Sequence, residues 1–278
     1  KPARVHCSRQ RGANPRGVDL APGTSGRALR PGLVRDLLAG TLALEWTNAR
    51  VLHDDPAKVL HPPDRRDLHM LPRLEEALGK PLRELNIVSP YFVPTEDGTE
   101  AILAIAQRGV ATRVLTNSLA ATDVAPVHAG YSRYREALLR GGVRLYELKP
   151  SASGREETEE RERRGLSGSS GASLHAKTFG VDRSRIFIGS FNFDPRSARL
   201  NTEMGVLVES AALASQLSDS LDRQLPQVAY EVVLADGGLQ WIERTAAGEV
   251  RHDAEPGVSV LRRLWVDSLS ILPGEWLL

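Results

Sequence analysis

Residues 175–192 read HAKTFGVDRSRIFIGSFN, and this stretch decides how the rest of the chain is interpreted. His175 and Lys177 are two positions apart, so on a strand both side chains face the same side. The apolar alternation at 186–188 predicts a second strand, which ends in the small-residue sequence GSFN. The stretch therefore predicts two successive strands that both carry polar groups.

These polar groups suit chemistry on an oxyanion. Lys177 offers three donors and a fixed positive charge, which favour a phosphate partner. Gly189 predicts close approach of a ligand to the backbone, and Ser190 and Asn192 add neutral donors. The seven histidines show no HxH or HxxxH spacing, so we expect no metal ion and no cofactor. His175 is then available as a nucleophile on phosphorus.

The sequence before this stretch alternates between strand and helix patterns. Apolar runs predict strands at 85–88, 111–118 and 143–150, and amphipathic segments predict helices at 98–109 and 132–142. This order indicates an α/β fold with a largely parallel sheet. Further helices are predicted at 33–46, 67–80 and 211–224, and further strands at 205–208, 230–234 and 239–242.

Charge is distributed unevenly along the 278 residues, whose formal net charge is +1. Residues 1–30 hold seven basic residues and one acid, and residues 31–278 hold 29 basic and 34 acidic residues, so the two net charges are +6 and −5. Few large apolar residues occur in 1–30, which predicts a disordered or foreign leader, with a phosphate-binding basic arm as the alternative. We therefore expect one domain over 31–278. The single cysteine, Cys7, excludes an intramolecular disulfide.

The spacing HxKxxxxD followed by GSxN resembles the HKD motif of the phospholipase D superfamily. Segments such as NIVSPYFVP and GGVRLYELKP are similar to the C-terminal half of bacterial cardiolipin synthase-like proteins, and the resemblance extends from about residue 45 to 278. It implies an α/β phospholipase D-like sandwich, one HKD half, with a mixed, largely parallel central sheet flanked by helices. It also implies a phospholipid substrate and a position in the bacterial cytoplasm, peripheral at the inner face of the cell membrane.

The resemblance assigns roles to individual residues. His175 is implied as the nucleophile of a phosphohistidine intermediate, and Glu203 as the acid that orients it. Lys177, Ser190 and Asn192 are implied to bind the phosphoryl oxygens. Asp182 completes the motif, where the family uses it more often as a structural partner than as a proton donor. The expected catalytic set is therefore His175, Lys177, Asp182 and Glu203.

One departure from the family pattern concerns the second motif. Full-length synthases of this family carry two HKD motifs, whereas this sequence holds one. We expect the second motif to come from a homodimer partner, or the N-terminal half to have been lost. A homodimeric single-HKD nuclease and a catalytically silent fragment stay open as alternatives. The net charge of −5 over 31–278 disfavours nucleic acid as a partner.

Several residues outside the motif allow two interpretations. His128 lines a path for substrate or belongs to a loop, and Tyr91 and Phe92 pack at a sheet end or contact substrate. The tail residues Trp265 and Leu269, with Leu272 and Trp276, lie on a membrane surface beside Arg262 and Arg263, or they dock as a C-terminal segment. The charge run at 155–164 is expected to be a solvated loop or helical face.

Overall fold

The structure is a computed structural model that describes residues 31–41, 44–150, 174–235 and 238–270. The leader at 1–30, the charge run at 155–164 and the last tail residues, among them Leu272 and Trp276, lie outside this range. Two units are distinguished, one ending at Trp46 and the other beginning at Thr47. The domain boundary after residue 30 stays a prediction.

The first unit contains a helix that is shorter than predicted. Helix α1 spans Pro31–Leu38, whereas the apolar pattern predicted a helix up to Trp46. Gly40 follows with a φ of +67°, a left-handed conformation that glycine adopts without a steric cost. The glycine therefore ends the helix in spite of the apolar residues beyond it.

The second unit is built on a single mixed sheet, with the strand order β1-β7-β6-β5-β2-β3-β4-β8-β9-β10 among the described residues. The strands are β1 Asn48–His53, β2 Glu84–Val88, β3 Ala111–Asn117, β4 Arg144–Leu148, β5 Thr178–Val181, β6 Arg185–Gly189, β7 Met204–Glu209, β8 Ala229–Ala235, β9 Gly238–Thr245 and β10 Gly248–His252. The strands predicted from the apolar runs are therefore present, each within a few residues of its expected bounds.

Helices cover both faces of this sheet. They are α2 Met70–Leu78, α3 Thr95–Gln107, α4 Ala125–Ser132, α5 Arg135–Arg140, α6 Pro195–Arg199, α7 Ala211–Val228 and α8 Val260–Ser270. On one face Ile87 packs in a core with Leu74, Ile102 and Leu138 from α2, α3 and α5. On the other face Val88 packs with Leu221 and Leu225 of α7. No helix of the described residues is long and apolar enough to cross a membrane.

Parallel pairing is confined to the centre of the sheet. The order β2-β3-β4 is parallel because helices connect these strands, and the other pairs are antiparallel. The three-residue turn 182–184, for example, reverses the chain between β5 and β6. The mixed α/β class is confirmed, but the parallel share is smaller than the description "largely parallel" states.

The topology brings distant segments to one edge of the sheet. We call the edge at which β2, β3 and β4 end the carboxyl edge, and the opposite one the amino edge. Because β5 runs antiparallel to β2, it begins at the carboxyl edge, and β6 therefore ends there. By the same alternation β7 begins and β1 ends at this edge. The residues around 54, 91, 117, 177, 192 and 203 all lie there as a result.

Candidate active site

The two-residue spacing predicted that His175 and Lys177 lie within a strand. They lie instead immediately before β5. The strand begins at Thr178, although the backbone N–H of Gly189 still donates to the Lys177 carbonyl oxygen at 3.1 Å. His175 is exposed to solvent at the carboxyl edge. The Lys177 ammonium is half-buried and donates to the His175 carbonyl oxygen at 3.3 Å.

Carboxylates surround the lysine. Burial lowers the pKa of Lys177 below its ordinary value of 10.5, and the negative charges of Glu203, Asp194 and Asp123 oppose that shift. Lys177 makes no ion pair with a described residue. The site thus holds a cation that lies near three acids but forms no ion pair with any described residue.

Asn117 fixes the segment that leads into His175. Its side-chain oxygen accepts a hydrogen bond from the backbone N–H of Leu174 at 2.9 Å. Asn117 is buried at the end of β3. No local sequence pattern indicates this contact, because it joins positions 57 apart in the chain. A polar residue at the end of a predicted strand was the available signal.

The glycine of the GSxN sequence has a different role from the predicted one. A Cβ atom on Gly189 would lie 2.5 Å from the carbonyl oxygen of Met204 and 2.8 Å from the Phe187 ring. Gly205, its partner on β7, is equally constrained by the Phe187 ring, at 2.3 Å. Close packing of β6 on β7 therefore requires this glycine, and approach by a ligand is not needed to explain it.

Ser190 and Asn192 differ in how far their polar atoms are engaged. The Ser190 hydroxyl donates to the Glu203 carboxylate and accepts from the backbone N–H of Met204 at 3.1 Å. Asn192 is 9% exposed, and its Oδ1 has no hydrogen-bond partner in the part of the chain that the structure describes. Buried polar atoms are rarely left unpaired, so Asn192 fits a group that binds a ligand.

Glu203 is buried and lies directly before β7. Its carboxylate accepts hydrogen bonds from Ser190 and from the Asn201 amide, the latter at 3.3 Å. His175 is not among its partners within the described residues. The expected role of orienting the histidine therefore stays a prediction, and the structure shows Glu203 in contact with Ser190.

A buried ion pair fixes the backbone of Glu203. Asp54 Oδ2 accepts from the Lys58 ammonium at 2.9 Å and from the backbone N–H of Glu203 at 2.7 Å. Lys58 also donates to the Ser197 carbonyl oxygen at 3.1 Å, which ties α6 to the same pair. Both charged side chains are 1% exposed. The sequence analysis did not assign them a role because an aspartate and a lysine four residues apart usually lie on a solvated surface.

Asp194 adds a second buried carboxyl two residues after Asn192. It accepts from the backbone N–H of Ser197 at 2.6 Å and so caps α6. Burial raises the pKa of Asp194 above its ordinary value of 3.8, although the hydrogen bonds from Ser197 oppose the shift. This acid lies close enough to Lys177 to act on its charge.

Asp182 lies away from the other motif residues. It follows β5 at the amino edge, on the order of 15 Å along the strand from Lys177 at about 3.3 Å per residue. Its carboxylate accepts hydrogen bonds from the backbone N–H groups of Leu82, Arg83 and Glu84. Burial raises the pKa of Asp182, but these bonds outweigh it and hold the pKa below 3.8. The position of Asp182 is structural, and the structure does not bring it to the catalytic set.

The residues with two interpretations are now placed. Phe92 is fully buried and packs on Tyr131, with ring centroids 5.8 Å apart. The Tyr91 hydroxyl donates to Asp123 at 3.0 Å, and burial raises the pKa of Tyr91 to about 12. His128 is buried against Glu255, 2.8 Å away, so it does not line an open path for substrate.

A helix-flanked mixed sheet that gathers these residues at one edge defines a phospholipase D-like domain. Residues 74–225 match the family described as cardiolipin synthase, PLD-like domain, and the chain belongs to this family. It is 47% identical to cardiolipin synthase C of Escherichia coli (strain K12) over 247 residues, which cover 88% of this chain and 51% of that protein. The chain thus spans about half the length of this curated relative.

Two further proteins are similar to the chain. Cardiolipin synthase A of Pseudomonas entomophila is 32% identical over 161 residues, which cover 58% of this chain and 29% of that protein. Among solved structures, phosphatidylserine synthase of Haemophilus influenzae has a TM-score of 0.47 at 13% identity and covers 80% of this chain and 43% of its own.

Proposed function

We propose that this chain carries one catalytic half of a phospholipid phosphatidyltransferase of the cardiolipin synthase type. Family membership and the E. coli relative support the substrate class. The observation that supports the chemistry is the set at the carboxyl edge: an exposed histidine, a lysine that makes no ion pair with a described residue, and the buried amide of Asn192. A phosphodiester anion offers only acceptor oxygens, which would accept from the Lys177 ammonium and from the amide NH₂ group of Asn192.

In the proposed first step an imidazole nitrogen of His175 attacks the phosphorus of a phosphatidyl donor. The N–P bond forms while the P–O bond to the leaving alcohol breaks, and the alkoxide takes up a proton. In the second step an alcohol or water loses a proton, attacks phosphorus and displaces His175. The proton is given and taken by a second histidine, so the proposed reaction needs a second HKD motif. We assign that motif to a second copy of this chain or to the rest of a longer protein.

Lys177 and Asn192 are proposed to bind the non-bridging phosphoryl oxygens. Ser190 joins them only if its hydroxyl turns away from Glu203, the acceptor it uses in the structure. That rotation would leave the Glu203 carboxylate available to the far nitrogen of His175, where it would fix the tautomer and raise the basicity of the ring. Binding of phosphate and orientation of the nucleophile are then linked through one hydroxyl group.

The covalent step can be tested without the second histidine. Bis(4-nitrophenyl) phosphate releases 4-nitrophenolate, a leaving group that needs no proton at mildly alkaline pH. We expect a burst of nitrophenolate from the wild-type chain and a loss of at least about 10³-fold in His175→Ala. His61→Ala is the matched control, since His61 is also exposed and its side chain lies outside the site. A burst that survives His175→Ala, or no burst from the wild type, contradicts the proposal.

The substrate class is tested by protection from this reaction. Short-chain phosphatidylglycerol should slow the burst by competing for the phosphate site. A single-stranded oligonucleotide that competes better than the lipid at the same phosphate concentration would favour the nuclease alternative.

A further inference from the structure

Helix α8 presents its apolar side chains to solvent. Val260, Leu261, Leu264 and Trp265 are 61%, 80%, 60% and 53% exposed, and they follow one another at helical spacing on one face. A helix that packs on a globular core shows the reverse pattern, with its apolar stripe turned inward. We call these four residues the outer face of α8.

The opposite side of α8 is already in place against the domain. Val266 is 1% exposed and packs with Leu119 and Ala129, and Leu269 lies beside this cluster. The Arg262 guanidinium donates to the Thr122 carbonyl oxygen at 3.4 Å, and Arg133 donates to the Ser270 carbonyl oxygen. The helix is therefore held in a fixed orientation, and its outer face is not needed for docking. Leu269 is therefore docked, whereas Trp265 is exposed, and the membrane-surface alternative for the tail stays a prediction.

Helix α8, which carries the outer face, packs against elements at the edge that holds the candidate active site. Helix α8 packs beside α4 and the loop 118–123, which follows β3 at the carboxyl edge. Asp123 of that loop binds Tyr91 and acts on the charge of Lys177. Other exposed apolar residues at the carboxyl edge are Val59, Leu60, Leu200 and Met204.

We propose that the outer face of α8 inserts into the headgroup boundary of a phospholipid bilayer and sets the carboxyl edge against it. Leucine and tryptophan on one side of a helix, with arginine beside them, are typical of helices that lie in this boundary. Arg263, beside the outer face, fits an anionic lipid headgroup.

A phospholipid bilayer is the occupant that the proposed substrate indicates for this face. A phosphodiester in a bilayer lies at the headgroup level, so the edge that contains His175 must face the bilayer to reach it. An outer face on a helix that packs against that edge meets this requirement. The inference rests on the proposed function only for the choice of a phospholipid surface as the partner.

The test compares two double variants of the full chain in sedimentation with phosphatidylglycerol–phosphatidylcholine vesicles. Leu261→Ser/Leu264→Ser alters the outer face, and Leu82→Ser/Val250→Ser alters exposed apolar residues elsewhere, 77% and 44% exposed. We expect vesicle partitioning to fall at least about tenfold in the first variant and to stay near the wild-type value in the second. Thermal melting of both variants checks that they fold.

Trp265 gives a second readout that does not depend on a destabilising change. Brominated acyl chains should quench part of the tryptophan fluorescence of the wild-type chain, and Trp265→Phe should remove that part. Equal partitioning of both double variants, or no vesicle binding by the wild type, overturns the inference. The inference is also overturned if the wild-type chain forms a dimer and does not bind vesicles, and if the dimer is lost in the outer-face variant.

The nitrophenolate burst separates this inference from the proposed function. Bis(4-nitrophenyl) phosphate is soluble, so the outer-face variant should keep the wild-type burst. Absence of a burst from the wild-type chain would contradict only the proposed reaction of His175. Absence of vesicle binding would contradict only the proposed insertion of the outer face.

Discussion

The two ends of the β5–β6 hairpin belong to one motif but have opposite environments. At the turn end, Asp182 has a φ of +53° and accepts hydrogen bonds from three successive backbone N–H groups. At the other end, which holds the candidate active site, His175 is exposed and the buried Asn192 oxygen has no hydrogen-bond partner among the described residues. The HKD motif thus has a structural end, where the carboxylate is saturated with hydrogen bonds, and an end where polar groups lack partners among the described residues.

The largest effect on stability is expected from the ion pair that supports the catalytic end. Lys58→Met leaves the Asp54 carboxylate buried without its cation, and should lower the free energy of unfolding by about 3–5 kcal/mol. Lys80→Met, at an exposed lysine, should change it by less than about 0.5 kcal/mol. Chemical denaturation of both variants gives the comparison. Equal stability of the two would show that the catalytic end does not depend on this pair.

Lys177 should behave in the opposite way to Lys58, although both lie at the carboxyl edge. Lys177→Met should slow the nitrophenolate burst by about 10²–10³-fold, because a donor to the developing negative charge is lost. Its free energy of unfolding should not fall, since burial already disfavours the charged ammonium and lowers its pKa. A destabilised variant with an unchanged burst would place Lys177 in the scaffold.

Asp182 tests the structural end. Asp182→Asn should lower the free energy of unfolding by about 1–3 kcal/mol, because the backbone donors lose an ionised acceptor, and should leave the burst unchanged. The pKa of Asp182 is lower in the folded protein than its ordinary value of 3.8. The ionised carboxylate therefore stabilises the protein at pH values above 3.8. This contribution is lost as the pH falls through the lowered value.

The pH dependence of unfolding measures that contribution. The stability difference between wild type and Asp182→Asn should be full at neutral pH and narrow below pH 3.8. A burst that disappears in the folded variant would contradict the assignment of Asp182 to the scaffold.

The smallest effect is expected at Ser190. Its hydroxyl donates to Glu203 and accepts from the backbone N–H of Met204, and neither bond joins it to His175 or Lys177, so Ser190→Ala should change the burst rate by less than about tenfold. Glu203→Gln in the same assay should shift the pH profile of the burst if Glu203 orients His175. An unshifted profile would limit Glu203 to holding Ser190.

The sequence predicted the elements that depend on local pattern. The apolar run at 85–88 became β2 with a shift of one residue, and the helix predicted over 67–80 is α2, which ends before Gly79 with its φ of +64°. Contacts between distant segments could not be read in this way. Asn117 with Leu174, and Asp54 with Glu203, meet only because alternating strand directions bring their ends to one edge.

Errors arose where packing outweighed pattern. The helix predicted up to Trp46 ends at Leu38, before the left-handed Gly40. Gly189 was predicted to allow close approach of a ligand, and the structure adds a packing reason for the glycine, because Phe187 and β7 leave no room for a side chain there. The motif spacing still predicts the candidate site, because the spacing fixes which residues stand at each end of the hairpin.

The central claim is that the open end of the hairpin forms a covalent bond to phosphorus through His175. The most direct test is to react the chain with bis(4-nitrophenyl) phosphate, denature it at alkaline pH, where phosphohistidine survives, and map the adduct by peptide mass spectrometry. The account predicts a phosphoryl adduct on His175. An adduct confined to another residue, such as Ser190, would contradict it.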